Sequence, residues 1–161
     1  MKHNLEFLKA DIQDELNKLE FLKSEFYKVG DQVFKENQQI PYYDRAAVGY
    51  YLHNFYNGCE NIFTSIAGFF ENDLGDRSWH RDLLKRMKLE ISGYRPAVID
   101  EKLYQILNDF RAFRHKFRHS YAFELDWEKE RLVALKFELA SKLLRKQVLG
   151  FLDKLIEIEE K

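Results

Sequence analysis

The chain has 161 residues, 45% of them hydrophobic and 33% charged, with 7 Gly, 2 Pro and a formal net charge of −1. This balance excludes a disordered chain and argues for a single all-α domain with one core and short loops. A nearly neutral chain has no global field to gather nucleic acid or anionic lipid, so any polyanion site must be local. The single cysteine, Cys59, excludes an internal disulfide and a multi-cysteine zinc site. The longest apolar runs, such as Ile66 to Phe70, fall well short of a membrane span, and no signal-like stretch follows Met1. A cytoplasmic protein without membrane contact is expected.

From Leu5 onward, Leu8, Ile12, Leu16, Leu19, Leu22, Phe26, Val29 and Val33 recur at spacings of three and four, which places them on one face of a long helix that Gly30 weakens. The stretch Asn37 to Pro41 breaks the period. Asp44 is then a candidate cap for a second helix starting near Arg45, with a stripe of Val48, Leu52, Phe55, Cys59, Ile62, Ile66 and Phe69. Asn72 to Asp76 has loop composition, Ser78 is the next candidate cap, and Leu83, Leu84, Met87 and Ile91 form the buried side of a shorter helix ended by Ser92 and Gly93. Pro96 suits the first turn of a fourth helix burying Leu103, Ile106, Phe110, Phe113 and Phe117. Asp126 caps a last long helix carrying Leu132, Leu135, Leu139, Leu144, Val148, Phe151, Leu155 and Ile158. Four to five such helices with short connections predict an antiparallel bundle, a fold that says nothing by itself about function.

The segment Arg111 to His119 stands apart. It holds four permanent cations, Arg111, Arg114, Lys116 and Arg118, with His115 and His119 and no acid. At about 100° per residue, Arg111, Arg118, His115 and His119 lie between about 40° and about 140° to one side of Arg114, while Phe110, Phe113 and Phe117 fall at about 40° to about 100° on its other side and enter the core. An imidazole-bearing cationic strip backed by a rigid aromatic stripe suits phosphate binding. A charge run on a helix is ordinarily a solvated face. This one lacks the interleaved acids that such a face uses to neutralise its cations.

Arg114, four residues, His119, one residue, Tyr121 is a further pattern within the strip. With it, and with the helix Asn54 to Phe63, the chain resembles the HEPN superfamily, specifically the HepT-like toxins of toxin–antitoxin pairs. Their signature is Arg, four to six residues, His, often with a polar residue after the Arg, which here is His115. The resemblance implies a metal-independent ribonuclease without cofactor, acting as a homodimer whose motifs face a shared cleft. It also implies an MNT-type nucleotidyltransferase antitoxin that adds AMP to Tyr121. On an unbroken helix Tyr121 would sit about 160° from His119, so either the helix breaks between Phe117 and Tyr121 or the tyrosine reaches the opposite subunit.

The residue chemistry agrees with that activity. RNA carries its own nucleophile in the 2′-OH, so cleavage needs a base, an acid and cations for the phosphorane. Imidazole exchanges protons near neutral pH, which makes His119 the acid–base candidate, and the planar Arg114 fork suits phosphate oxygens. His115 is either an orienting group or a second acid–base group, and Arg111, Arg118 and Lys116 are candidates for the RNA backbone. His115 and His119 at i and i+4 also have the spacing of a zinc pair. Lys116 stands where a zinc protease has Glu, however, and the flanking arginines repel a dication. His3, His53 and His80 have no motif around them, and Tyr42, Tyr43, Tyr50, Tyr51 and Tyr56 are expected as core-edge or interface aromatics. Two other classes compete: a non-catalytic module that binds nucleotides or a protein partner through the same strip, and a plain dimerisation bundle.

Overall fold

The computed structural model of the chain describes residues 2–31, 40–71 and 82–161. The fold is an all-α bundle: α1 (Lys2–Gly30), α2 (Tyr42–Glu71), α3 (Leu83–Met87), α4 (Glu101–His119), α5 (Trp127–Ala134) and α6 (Phe137–Glu159). Among the described residues, four long helices carry it and two short ones link them. No described helix is long and apolar enough to cross a membrane.

Side-chain contacts fix the directions. Phe26 meets Tyr51 at 6.2 Å between ring centroids, and Leu19 lies against Gly58, so α1 and α2 run antiparallel. Along α4, Phe110 meets Phe55 at 5.1 Å while Arg114 reaches back to Asn57 and Arg118 to His53, so α4 opposes α2 in turn. Gln147 of α6 accepts from the Asp100 amide, and Lys136 just before α6 binds Asp109, so α6 opposes α4. The core between them is dense with rings: Phe137 stacks on Phe26 at 4.4 Å and meets Phe55 at 4.9 Å.

Several boundaries depart from the sequence expectation, each for a local reason. The second helix starts at Tyr42, not near Arg45, because the Pro41 carbonyl already accepts from the Asp44 and Arg45 amides. The third is one short turn, and Ile91 is exposed: it exchanges backbone hydrogen bonds with Arg95 around Gly93, whose φ of 72° favours glycine. Pro96 is not in the first turn of α4. The Val98 and Ile99 amides bond instead to the Met87 carbonyl and pull both side chains into the core, and Asp100 caps α4 through the Leu103 amide at 2.8 Å.

Asp126 does cap its helix, accepting from the Glu128 and Lys129 amides. The expected single last helix, however, is interrupted at Leu135 and Lys136. The interruption rotates the buried face onto Ala134, Phe137, Ala140 and Leu144, leaving Leu132 and Leu139 exposed. Ile158, also expected in the core, is exposed at the chain's end. Val33, the loop at Asn72 to Asp76 and the Ser78 cap lie outside the described residues.

Candidate nucleic-acid interface at the end of the fourth helix

The strip is built where α4 ends. Its apolar side buries Phe110 and Phe113, and Phe117 packs on Phe113 at 5.8 Å. Gly49 of α2 permits this approach, since a Cβ there would lie 2.8 Å from the Phe117 ring. Lys116, Arg118 and His119 occupy the last turn, where cations complement the helix C-terminus. Ser120 then adopts an extended conformation (φ −132°, ψ 152°) and the helix stops at His119. This is the first of the two arrangements that the Tyr121 geometry required. Tyr121 turns outward, 71% exposed, with its ring stacked on Phe123 at 5.3 Å and its amide on the Glu124 carboxylate.

Arg114 is the most enclosed cation of the strip, its side chain only 12% exposed. Its Nη2 pairs with Glu60 Oε2 at 2.8 Å, its Nη1 donates to Asn57 Oδ1 at 3.2 Å, and the guanidinium lies 4.5 Å from the Tyr56 ring centroid. Arg118 donates to the same Asn57 oxygen at 3.4 Å and, through Nε, faces His53 Nε2 at 3.2 Å. His53 rests on the Phe117 ring at 5.3 Å. Thus His53, Asn57 and Glu60, spaced four and three apart on one face of α2, receive the two arginines.

His115 and His119 are brought together as well, with ring centroids 4.7 Å apart on the exposed side of α4, one step round from the arginine network. Arg111 and Lys116 are exposed on the flanks of the strip. Among the described residues, no group of three or more His, Cys, Asp or Glu side chains converges as metal ligands would.

The local electrostatics follow from enclosure. Burial and then the Arg118 charge, with a smaller contribution from Arg114, push the His53 imidazole below its ordinary value against a side-chain hydrogen bond to Asn54 that raises it. Burial, with Glu60 and Cys59, raises the Tyr56 phenol despite Arg114 and Arg111. Behind Phe117, Glu130 of α5 is 1% exposed, and burial pushes its carboxyl up to about 8.

Four residues of this network were not assigned a role from the sequence. The strip's missing acid comes from another helix, as Glu60. His53 had no motif around it, Tyr56 was expected at a core edge, and Asn57, like Tyr56 and Glu60, lay without an assigned role in the Asn54 to Phe63 segment that carried the resemblance. Their shared face on α2 was the available signal.

An all-α bundle with a paired-arginine, paired-histidine strip at a helix end is the class that this fold and geometry define. A family profile described as HepT-like protein matches residues 47–155, more than half of the chain and all of the strip. The chain therefore belongs to the HepT-like family of the HEPN superfamily. No curated protein and no solved structure matches it.

Proposed function

We propose that the protein is a HepT-type ribonuclease toxin that cleaves RNA without a metal, through attack of the 2′-OH on the adjacent phosphorus. The observation that carries this reading is the convergence of Arg114 and Arg118 on Asn57, beside an exposed imidazole pair at the same helix end. In the reaction, one imidazole takes the 2′-OH proton as the 2′-oxygen bonds to phosphorus. A second proton donor protonates the departing 5′-oxygen, leaving a 2′,3′-cyclic phosphate and a 5′-hydroxyl. His119 is the acid–base residue and His115 the second proton-carrying or orienting group. Arg114 stabilises charge on the phosphorane, and Arg111, Lys116 and Arg118 hold the backbone.

Arg114 enters this role already held by Glu60, Asn57 and Tyr56. Its fork is thus pre-oriented, and a phosphate engages it by displacing or sharing those partners. The active unit is a homodimer whose two strips face one cleft. The partner is an MNT-type nucleotidyltransferase antitoxin, which silences the toxin by adding AMP to the exposed Tyr121.

Purified protein incubated in EDTA with a labelled RNA, and with the same sequence in 2′-deoxy form, tests the reading. Cleavage confined to the RNA, ending in a cyclic phosphate and lost in His119→Ala and Arg114→Ala proteins that remain folded, is expected. Binding of both substrates with neither cleaved would establish the non-catalytic module instead.

A further inference from the structure

Asn57 and Arg118 set a hydrogen-bond donor against each of His53's nitrogens, with Asn54 as the ring's third hydrogen-bonding neighbour. Asn57 Oδ1 accepts from Arg114 Nη1 at 3.2 Å and from Arg118 Nη2 at 3.4 Å, which fixes the carboxamide with its oxygen toward the cations and its nitrogen away from them. That nitrogen lies 3.2 Å from His53 Nδ1. On the other side of the ring, Arg118 Nε lies 3.2 Å from His53 Nε2. Amide and guanidinium nitrogens only donate, and a neutral imidazole carries one N–H.

No tautomer therefore satisfies both contacts. A proton on Nε2 opposes Arg118, a proton on Nδ1 opposes Asn57, and a doubly protonated ring opposes both. Turning the Asn57 carboxamide over moves the conflict to the two guanidiniums. In the free protein the charge-assisted contact to Arg118 is the stronger. Nε2 is then the bare, accepting nitrogen, and the N–H sits on Nδ1 against Asn57.

The conflict disappears when an acceptor enters between Arg118 and His53. An anionic oxygen there accepts from Arg118 Nε–H and from His53 Nε2–H together, while Nδ1 turns bare and accepts from Asn57. The charges favour an anion over water, because within this network two guanidiniums, Arg114 and Arg118, face one carboxylate, Glu60.

We infer that His53 is a phosphate ligand of the cleft, switching its proton from Nδ1 to Nε2 so that it and Arg118 grip one non-bridging oxygen of an RNA phosphodiester. Asn57 is the positioning residue that selects the bound tautomer. This rests on reading the cleft as an RNA phosphate site.

The test is nitrogen-15 NMR on protein labelled at its 5 histidines, titrated with inorganic phosphate and then with a 2′-O-methyl RNA that cannot be cleaved. His53→Phe, which keeps a ring against Phe117, assigns the signals. On saturation, His53 Nε2 is expected to change from the pyridine-like to the pyrrole-like position and Nδ1 to do the reverse. His53→Phe should weaken 2′-O-methyl RNA binding by on the order of tenfold and raise KM for cleavage more than it lowers kcat. His53→Gln, which restores a neutral donor, should recover most of that affinity.

Two results overturn the inference: His53 nitrogens that stay unmoved while the probe saturates, or His53→Phe binding RNA as tightly as the native protein. If the tautomer switches but the native protein cleaves no RNA, the phosphate site stands and only the nuclease reading falls. If RNA is cleaved and His53 neither switches nor matters, only the present inference falls.

Discussion

Replacing Glu130 by Gln gives the sharpest test of the packing behind the cationic strip. The Glu130 side chain is almost completely enclosed, and its Oε1 has no hydrogen-bond partner. That oxygen is 3.1 Å from where a Cβ on Gly49 would stand, on the same side of α2 that receives Phe117. Burial raises the carboxyl from 4.5 to about 8, with Arg45 and the Gly49 backbone pulling weakly the other way. Because the folded value lies above the unfolded one, the contribution of this group is fully present below about pH 4.5. It is lost as pH rises through about 8. At about 1.36 kcal/mol per pH unit, the whole gap is worth on the order of 5 kcal/mol, an upper bound because water admitted to an ionised group recovers part of it. Glu130→Gln keeps the shape and removes the titration. Urea unfolding of both proteins between about pH 5.5 and about pH 9.5 should show the native chain losing a few kcal/mol more than the variant, with the variant the more stable at the alkaline end. Stability curves that stay parallel within about 0.5 kcal/mol over that range would falsify the assignment of a neutral buried carboxyl.

The remaining expectations concern packing, the arginine pair and the tyrosine. A methyl group at Gly58 would stand 2.4 Å from Leu19 Cδ2 and 3.0 Å from its Cγ. Even after the helix-propensity gain, Gly58→Ala should therefore destabilise by about 1 to 2 kcal/mol, and a raised Tm would contradict the close approach of α1 to α2. Arg114→Ala should lower kcat for RNA cleavage by more than Arg118→Ala does, since the latter removes mainly ground-state contact and raises KM; steady-state kinetics with the reverse order would reassign the two. After co-expression with an MNT-type nucleotidyltransferase, the partner proposed above, intact-mass analysis should show AMP additions that are absent from Tyr121→Phe. Full neutralisation of a toxic Tyr121→Phe protein by that partner would exclude this tyrosine as the switch.

How much of this was legible beforehand depended on whether the determinant was local. The two faces of α4, its end before Tyr121 and the Asp126 cap follow from helical spacing, a run of irregular residues and one capping side chain. What escaped was set by partners distant in sequence. Nothing in Leu135 and Lys136 resembles a helix breaker. Yet the chain turns there, Phe137 joins the ring stack with Phe26 and Phe55, and the apolar period shifts with it. Pro96 has helix-start chemistry, but the Met87 carbonyl captures the following amides first. Within the site, the strip itself was visible as a run on one helix. Its receivers on α2 were not, because His53, Asn57 and Glu60 each look ordinary until α4 is laid across them.

The absence of acids within the strip is explained by the same geometry. Four cations in nine residues repel one another, and a soluble helix face relieves this with its own Glu and Asp at three- and four-residue spacing. Here much of the relief comes from α2, through the Glu60 carboxylate, the Asn57 oxygen and the Tyr56 ring face, and the rest from the carbonyl end of α4 itself. The three α2 groups are far from the arginines along the chain, and only one of them carries a full negative charge. Arg114 and Arg118 are thus held in place with one carboxylate between them, and on the proposed reading an arriving phosphate would meet two pre-oriented guanidiniums. Acids interleaved along α4 would have solubilised the helix equally well, but they would have stayed beside the phosphate after it bound. Placing Glu60 on α2 holds Arg114 while leaving the Arg111 to His119 stretch of α4 without an acid of its own.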